Sequence, residues 1–481
     1  LFCVTGIWIS QDGFPETLPD GQAQVDAIDL ASLIGAQVIK GPASVLYGNA
    51  TGGVIALRTE DGADRDPSLL LDWRFGENGY EKRAAQGGGD WGSGYAWLSA
   101  SSLDYVGQRQ HSATEKSLIN LRVGKRLSPV HSIDGALTIL DQPFGRDPGA
   151  LTETQLAENR WQAVSQAVSL DAGQSVRQER LGLRHQYTGD HWQSELKGFI
   201  TSRDFEQQLP SSFFPSKITY EREFTGLMGD FRRTLSGQTS VALGFDLSTQ
   251  EDDRQRYRVN RDGEIAAQTQ NELQIARQRA AFIQIHQDVG ALDGLIGLRF
   301  DRLSLNISDR FEKDVPTRTQ QNLGQWSTVL GASYALSETT RLHVSRGDSF
   351  ESPTFTEVKD FSGMGGFSRN LRPSKATNVE FGVRHQHRRY EVEATAYQIR
   401  SRDEIVVSAS DSGLDVYTNA GGTRRYGLEF MMRGQLGDQV SFVGSYSYAD
   451  FTFTEFSNGG VVFDGNRMPG IPRHTLFAQI N

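Results

Sequence analysis

The side chains in this sequence that could do chemistry are arginines set beside aromatic rings. Arg146, Arg160 with Trp161, the run Arg254, Arg256, Tyr257, Arg258 and Arg261, and Arg369 with Phe367 all fall in stretches that read as long polar loops. A guanidinium fork matches a carboxylate and an aromatic face covers a ring, so these groups suit an anionic organic molecule. The plainer explanation is solvated loop charge. In the run from 254 to 261, Glu251, Asp252, Asp253 and Asp262 also offer local pairing. Histidines contribute less: His385 with His387 and His185 with His191 are paired in sequence, but neither pair has a third ligand, and no metal site is assigned. No Ser-His-Asp order, H-E-x-x-H pair or nucleophile elbow occurs, so no catalytic residue, enzymatic activity or cofactor is expected.

Such residues need a scaffold, and composition narrows it. The formal charge of -10 argues against a nucleic-acid partner. The single cysteine, Cys3, excludes an internal disulfide framework. No apolar run approaches the roughly 18 residues of a membrane helix. A mean hydropathy of -0.46 does not exclude a membrane β-barrel, whose strands are apolar only at alternate positions.

From Ser68 onward the pattern has period two. Val241, Leu243, Phe245 and Leu247 alternate with Ala242, Gly244, Asp246 and Ser248, and Val379, Phe381 and Val383 alternate with Glu380, Gly382 and Arg384. One apolar face suits either a sandwich core or a lipid-facing barrel. Length separates the two, because segments such as 218–234 and 270–287 exceed the roughly 9–11 residues of a spanning strand. Tight turns at 187–190, 235–238 and 434–438 alternate with long loops expected at 140–175, 250–268, 308–324 and 347–373. That asymmetry belongs to outer-membrane barrels. Hairpin punctuation gives about 18 strands.

One stretch needs no amphipathic element to explain it: residues 40–55, where Gly41, Pro42, Tyr47, Gly48, Gly52 and Gly53 crowd a short apolar piece. Glycines so placed permit positive φ and close backbone approach, and proline fixes a turn. The stretch lacks the features of a phosphate loop or a dinucleotide fingerprint. Followed by so much strand, it resembles the end of the plug domain of TonB-dependent outer-membrane transporters. The blocks 345–357, 370–375, 379–382, 417–420 and 427–430 resemble the barrel signature of the same family. The resemblance implies an all-β fold, a transmembrane antiparallel β-barrel of roughly 22 strands when complete, with a plugged lumen. It also implies that residues 1–62 are the C-terminal part of the plug and residues 63–481 a barrel truncated at its C-terminus. The front of the plug, with the TonB box, and about four closing strands are then expected outside the sequence.

The function implied is energy-coupled uptake of a scarce small molecule across the bacterial outer membrane, with TonB, ExbB and ExbD as partners and outer-membrane lipid and lipopolysaccharide as surroundings. By the same resemblance the loop 11–21 is a plug apex that touches ligand, which adds Thr17, Leu18, Asp20 and the adjoining Gln22 to the candidates. The segments 12–22, 147–152, 402–407, 419–425 and 464–470 resemble the branch that takes up pyrroloquinoline quinone, a planar tricarboxylate. A ferric siderophore is the alternative ligand. A passive porin or an adhesive barrel is the alternative of another class, but a porin has no need of the residues 40–55.

Overall fold

The computed structural model describes residues 5–41, 44–210, 215–311, 318–359, 371–411, 414–437, 439–458 and 460–481. Pro42, Phe367 and Arg369 lie outside the described residues. A small sheet sits inside a large one. The inner sheet has the spatial order β2-β1-β4-β3, from β1 (Ile7–Gln11), β2 (Phe14–Pro15), β3 (Leu33–Ile39) and β4 (Gly53–Thr59). β1 runs parallel to β4, while β3 runs antiparallel to it. A single helical turn, α1 (Ser44–Tyr47), leads from β3 into β4.

The glycine stretch has the conformations its residue types require at three of its four glycines. Gly41, Gly48 and Gly53 have φ of 83°, 74° and 119°. At Gly53 a Cβ would stand 2.6 Å from the Ile39 carbonyl oxygen, so a side chain has no place there. Gly52 is not in the positive-φ region. Its constraint is close approach, since its N–H donates to the Gly6 carbonyl at 2.7 Å and a Cβ would meet that same oxygen at 3.2 Å.

Around this sheet the chain winds as β5 (Ser68–Phe75), β6 (Glu81–Asp90), β7 (Gly94–Tyr105), β8 (Thr114–Ser128), β9 (His131–Arg146), β10 (Gly173–Thr188), β11 (Trp192–Leu209), β12 (Ser216–Ser236), β13 (Thr239–Val259), β14 (Ile265–Val289), β15 (Leu292–Asp309), β16 (Arg318–Ala335), β17 (Thr340–Glu351), β18 (Ser374–Gln386), β19 (Tyr390–Asp411), β20 (Leu414–Leu436) and β21 (Val440–Glu455). A two-strand ear, β22 (Ser457–Asn458) and β23 (Val461–Val462), precedes the last barrel strand, β24 (His474–Ile480). Among the described residues these elements form an 18-strand closed barrel in which β24 stands beside β5. Each other junction is a registered antiparallel ladder. The seam between β24 and β5 carries no such ladder among the described residues, and Leu71, Phe75, Leu476 and Ile480 beside it are exposed.

The ambiguous alternation is settled with the apolar face outward. Leu243 and Leu247 are exposed while Ala242 is buried, and the inward Asp246 reaches Arg299 across the lumen wall. Exposed Ile283, Ile285, Ile296 and Leu298 continue the belt on the neighbouring strands. That arrangement is stable only where lipid replaces water. One barrel rim carries short turns such as Ser236 to Thr239 and Val289 to Leu292, which marks it as periplasmic.

The loops differ from expectation. Most of 250–268 is ladder, with Gln250 to Val259 in β13 and Ile265 onward in β14, a strand of 25 residues. Above the membrane both strand faces meet water or polar lumen. Apolar contrast therefore disappears while the hydrogen-bond register persists.

Candidate functional site

The β12–β13–β14 register turns part of the arginine run into a lumen wall. Arg254 lies opposite Tyr220 on β12 and Glu272 on β14, and Arg256 lies opposite Ile218 and Gln270. One step lower, Asp252 lies opposite Arg222, whose guanidinium donates to it at 2.6 Å from Nε and 2.5 Å from Nη2. Two residues per inward step place Asp252, Arg254 and Arg256 on one face. Tyr257 falls on the other face, opposite Lys217, and Arg258 is exposed.

The inner sheet supplies the floor. The chain leaves β1 through Asp12 and Gly13, at φ 57° and 82°, and returns along residues 16–24 beneath the arginines. Asp20 is buried, and its carboxylate accepts from the Gln22 backbone N–H at 3.2 Å. Burial pushes Asp20 up to about 6, against the opposing pull of Arg222. The far wall is α4 (Phe355–Val358), started by a reciprocal cap between Thr354 and Glu357. Lys359 at its end is ion-paired with Glu272. Asp20, Gln22, Arg222, Arg254, Arg256 and Lys359 thus line a cavity of about 250 Å³, with Phe355 and Tyr417 as its rings.

Charge in this cavity is unevenly matched. Arg222 has Asp252 and Lys359 has Glu272, whereas Arg254 and Arg256 have no carboxylate partner among the described residues. Arg256 donates to the Ser216 hydroxyl at 3.3 Å, and Arg254 lies over the Tyr220 ring at 6.0 Å. Adjacent, half-buried guanidinium groups are disposed to bind an anion with two or more acceptor oxygens.

The remaining candidates are placed as follows. Thr17 is buried, accepting from the Ile9 N–H at 2.8 Å and donating to the Ile7 carbonyl at 3.1 Å. Leu18 packs with Phe14, Phe199 and Phe224 in a buried cluster. A second cavity of about 300 Å³, nearer the periplasmic rim, is lined by Thr17, Tyr47, Phe199, Phe224 and Phe282. The loop from Thr17 to Asp20 therefore separates the two cavities. Arg146 is paired with Asp171 at 3.2 Å, and Arg160 lies over Trp161 at 5.1 Å on the β9–β10 connection; none of the three lines the upper cavity.

Sequence reasoning did not single out Lys359, Gln270, Gln274 or Tyr417 as cavity residues. The signal for Gln270 and Gln274 was strand parity, which becomes usable once the β13–β14 register is known. Ionic contacts hold the floor to the wall. Arg122 bridges Asp12 at 2.9 Å and Asp134 at 2.8 Å, Arg180 pairs with Glu16, and Arg203 reaches Asp26 at 2.5 Å.

Comparison with known proteins gives concordant results. Residues 128–481 match the family model described as TonB dependent receptor-like, beta-barrel. The metal-pseudopaline receptor CntO of Pseudomonas aeruginosa is 23% identical over 297 residues, which is 60% of this chain and 36% of that protein. The match thus spans little more than a third of that relative's length. Among solved structures, the unliganded ferric citrate transporter FecA superposes with a TM-score of 0.84 at 19% identity, covering 100% of this chain and 73% of the other. The ferric yersiniabactin uptake receptor FyuA from Yersinia pestis superposes with a TM-score of 0.80 at 15% identity, covering 99% and 74%. At these identities the superpositions establish the plugged-barrel fold.

Proposed function

Because this chain belongs to the TonB-dependent receptor family, a family of outer-membrane transport barrels and not of enzymes, we propose that it takes up a metal ion held in an anionic organic chelate, such as a ferric siderophore. The observation that carries the ligand class is the pair Arg254 and Arg256, side by side over the plug floor without a carboxylate of their own. Chelators built on carboxylates or similar oxygen donors leave net negative charge around a bound metal, and two guanidinium forks complement it. The named relatives handle pseudopaline-bound metal, ferric citrate and ferric yersiniabactin, and so favour this ligand class over pyrroloquinoline quinone.

Uptake follows from the two cavities. Ligand rests on Asp20 and Gln22, and the route downward is closed by the loop that carries Thr17 and by Leu18 packed among Phe14, Phe199 and Phe224. Passage requires that loop to move. The energy for the movement is assigned to TonB, driven by ExbB and ExbD, acting on the plug.

The test is equilibrium binding to the full-length receptor in detergent, titrated in parallel with iron-loaded carboxylate, hydroxamate and catecholate chelators, nickel and zinc chelates, and pyrroloquinoline quinone. One metal chelate should bind saturably, and Arg254→Gln/Arg256→Gln should weaken it at least tenfold, since a hydrogen bond to a charged group contributes about 1.5–3 kcal/mol. Saturable binding of the quinone alone would overturn the ligand class and leave the family unchanged.

A further inference from the structure

The outer face of β14 and β15 carries three arginines that no carboxylate among the described residues neutralises. Ala276 and Ala280 are buried while Arg277 and Arg279 between and beside them are exposed, so both arginines point away from the lumen. The same alternation on β15 buries Asp301 and Leu303 and exposes Arg302. Arg279 and Arg302 are direct partners across the ladder, and like charges so placed repel. Arg277 lies two residues further up, opposite Ser304. On the β13 side their partners are Thr249 and Leu247, and on the β16 side Arg302 faces Gly324. None of the three arginines has an ion pair among the described residues.

Their height is specific. Arg302 is ten residues above Leu292 at the periplasmic turn, which at ~3.3 Å per residue and a tilt of ~40° places it about 25 Å higher, the height of a barrel's apolar band. Directly beneath it the rings of Phe300 and Trp326 lie 4.8 Å apart, and below them come exposed Leu298, Ile296, Ile283 and Ile285. Gly324 leaves the flank of Arg302 open, with only the Phe300 ring near its Cβ direction at 3.5 Å.

We propose that Arg277, Arg279 and Arg302 bind a phosphate of lipopolysaccharide, the phosphorylated glycolipid of the outer leaflet. A dianionic phosphate between Arg279 and Arg302 turns a repulsive cross-strand pair into a bridged one, through charge-assisted hydrogen bonds. The ligand is a lipid and not free phosphate because the cations stand at the top of an apolar belt with an aromatic pair just below. Acyl chains can lie along that belt while the phosphate sits above it.

Native mass spectrometry of the full-length receptor in detergent tests the assignment, with diphosphoryl lipid A, its phosphate-free counterpart and inorganic phosphate as probes. The diphosphoryl lipid should bind saturably, the phosphate-free lipid at least tenfold more weakly, and millimolar inorganic phosphate should not displace it. Arg279→Gln/Arg302→Gln should lose at least tenfold in lipid affinity, and Arg279→Lys/Arg302→Lys should retain most of it. Gel mobility before and after heating reports that each variant is folded. Equal binding of the two lipids to the unaltered receptor, which needs no variant, overturns the proposal. So does unchanged affinity in the folded glutamine variant, or displacement by inorganic phosphate.

Discussion

Arg299 is the largest fully buried side chain among the described residues, and its replacement by methionine should loosen the plug from the wall. Its Nε donates to Asp301 at 2.8 Å and its Nη2 to Asp301 at 2.9 Å, it pairs with Asp246 at 2.6 Å, and Nη1 donates to the Leu46 carbonyl in α1 at 3.0 Å. Methionine keeps much of the volume but takes the guanidinium away from Asp246, Asp301 and the Leu46 carbonyl, leaving Asp301 with the Gln278 amide at 3.2 Å. Breaking a buried pair by removing one partner costs about 3–5 kcal/mol. Because α1 lies at this contact, a loss of about 4 kcal/mol should appear as local opening of residues 44–55, and amide exchange there should accelerate about a thousandfold. Hydrogen-exchange mass spectrometry of the receptor in detergent reads this directly. Adding Asp301→Asn removes one of the stranded charges and should recover part of the protection, as expected of residues in one network. Acceleration of less than tenfold, or no recovery in the double variant, would refute the idea that this cation clamps the plug.

Other outcomes follow from the same geometry. Gly53→Ala should destabilise the plug by about 1–3 kcal/mol, because φ of 119° is foreign to a side-chain-bearing residue and the Ile39 carbonyl cannot yield. Gly52→Ala, at ordinary φ with its nearest contacts at 3.2 Å, should cost less, and equal losses in exchange protection would contradict this order. Asp20 has a folded-state pKa raised from 3.8 to about 6, so the folded protein holds its proton more tightly than the unfolded chain. The plug should therefore lose up to about 3 kcal/mol of stability as pH rises from 4 to 7, at about 1.4 kcal/mol per pKa unit. Asp20→Asn should flatten that slope, and an unchanged profile of plug unfolding against pH would remove Asp20 as its source.

Within the membrane band the strands were legible from alternation, but the direction of the faces was not. Val241 to Ser248 reads equally well as a sandwich strand, and only its place in the barrel wall shows Leu243 outside and Asp246 inside. Above the band the signal fails for a different reason. From Glu251 to Arg258 both faces are polar, so residues that pair continuously with β12 and β14 look like a loop. The glycines were legible where residue type alone decides the conformation, as at Gly48 and Gly53, and less so at Gly52, whose requirement is set by Gly6. Cys3 and the candidates Phe367 and Arg369 fall outside the described residues.

Arginine shows how much a single anchor is worth. Arg299 and Arg302 are an odd number of residues apart on one regular strand, so they must point to opposite sides. Sequence alone does not say which side is the lumen. Once one residue of β15 is fixed, for example Leu298 outward, Arg299 is committed to Asp246, Asp301 and the plug, and Arg302 to the lipid boundary. The same parity on β13 puts Arg254 and Arg256 in the cavity and Tyr257 outside it. A one-residue slip in that register would reverse these assignments together. The proposed uptake site and the proposed lipid site therefore depend on the same hydrogen-bond ladder.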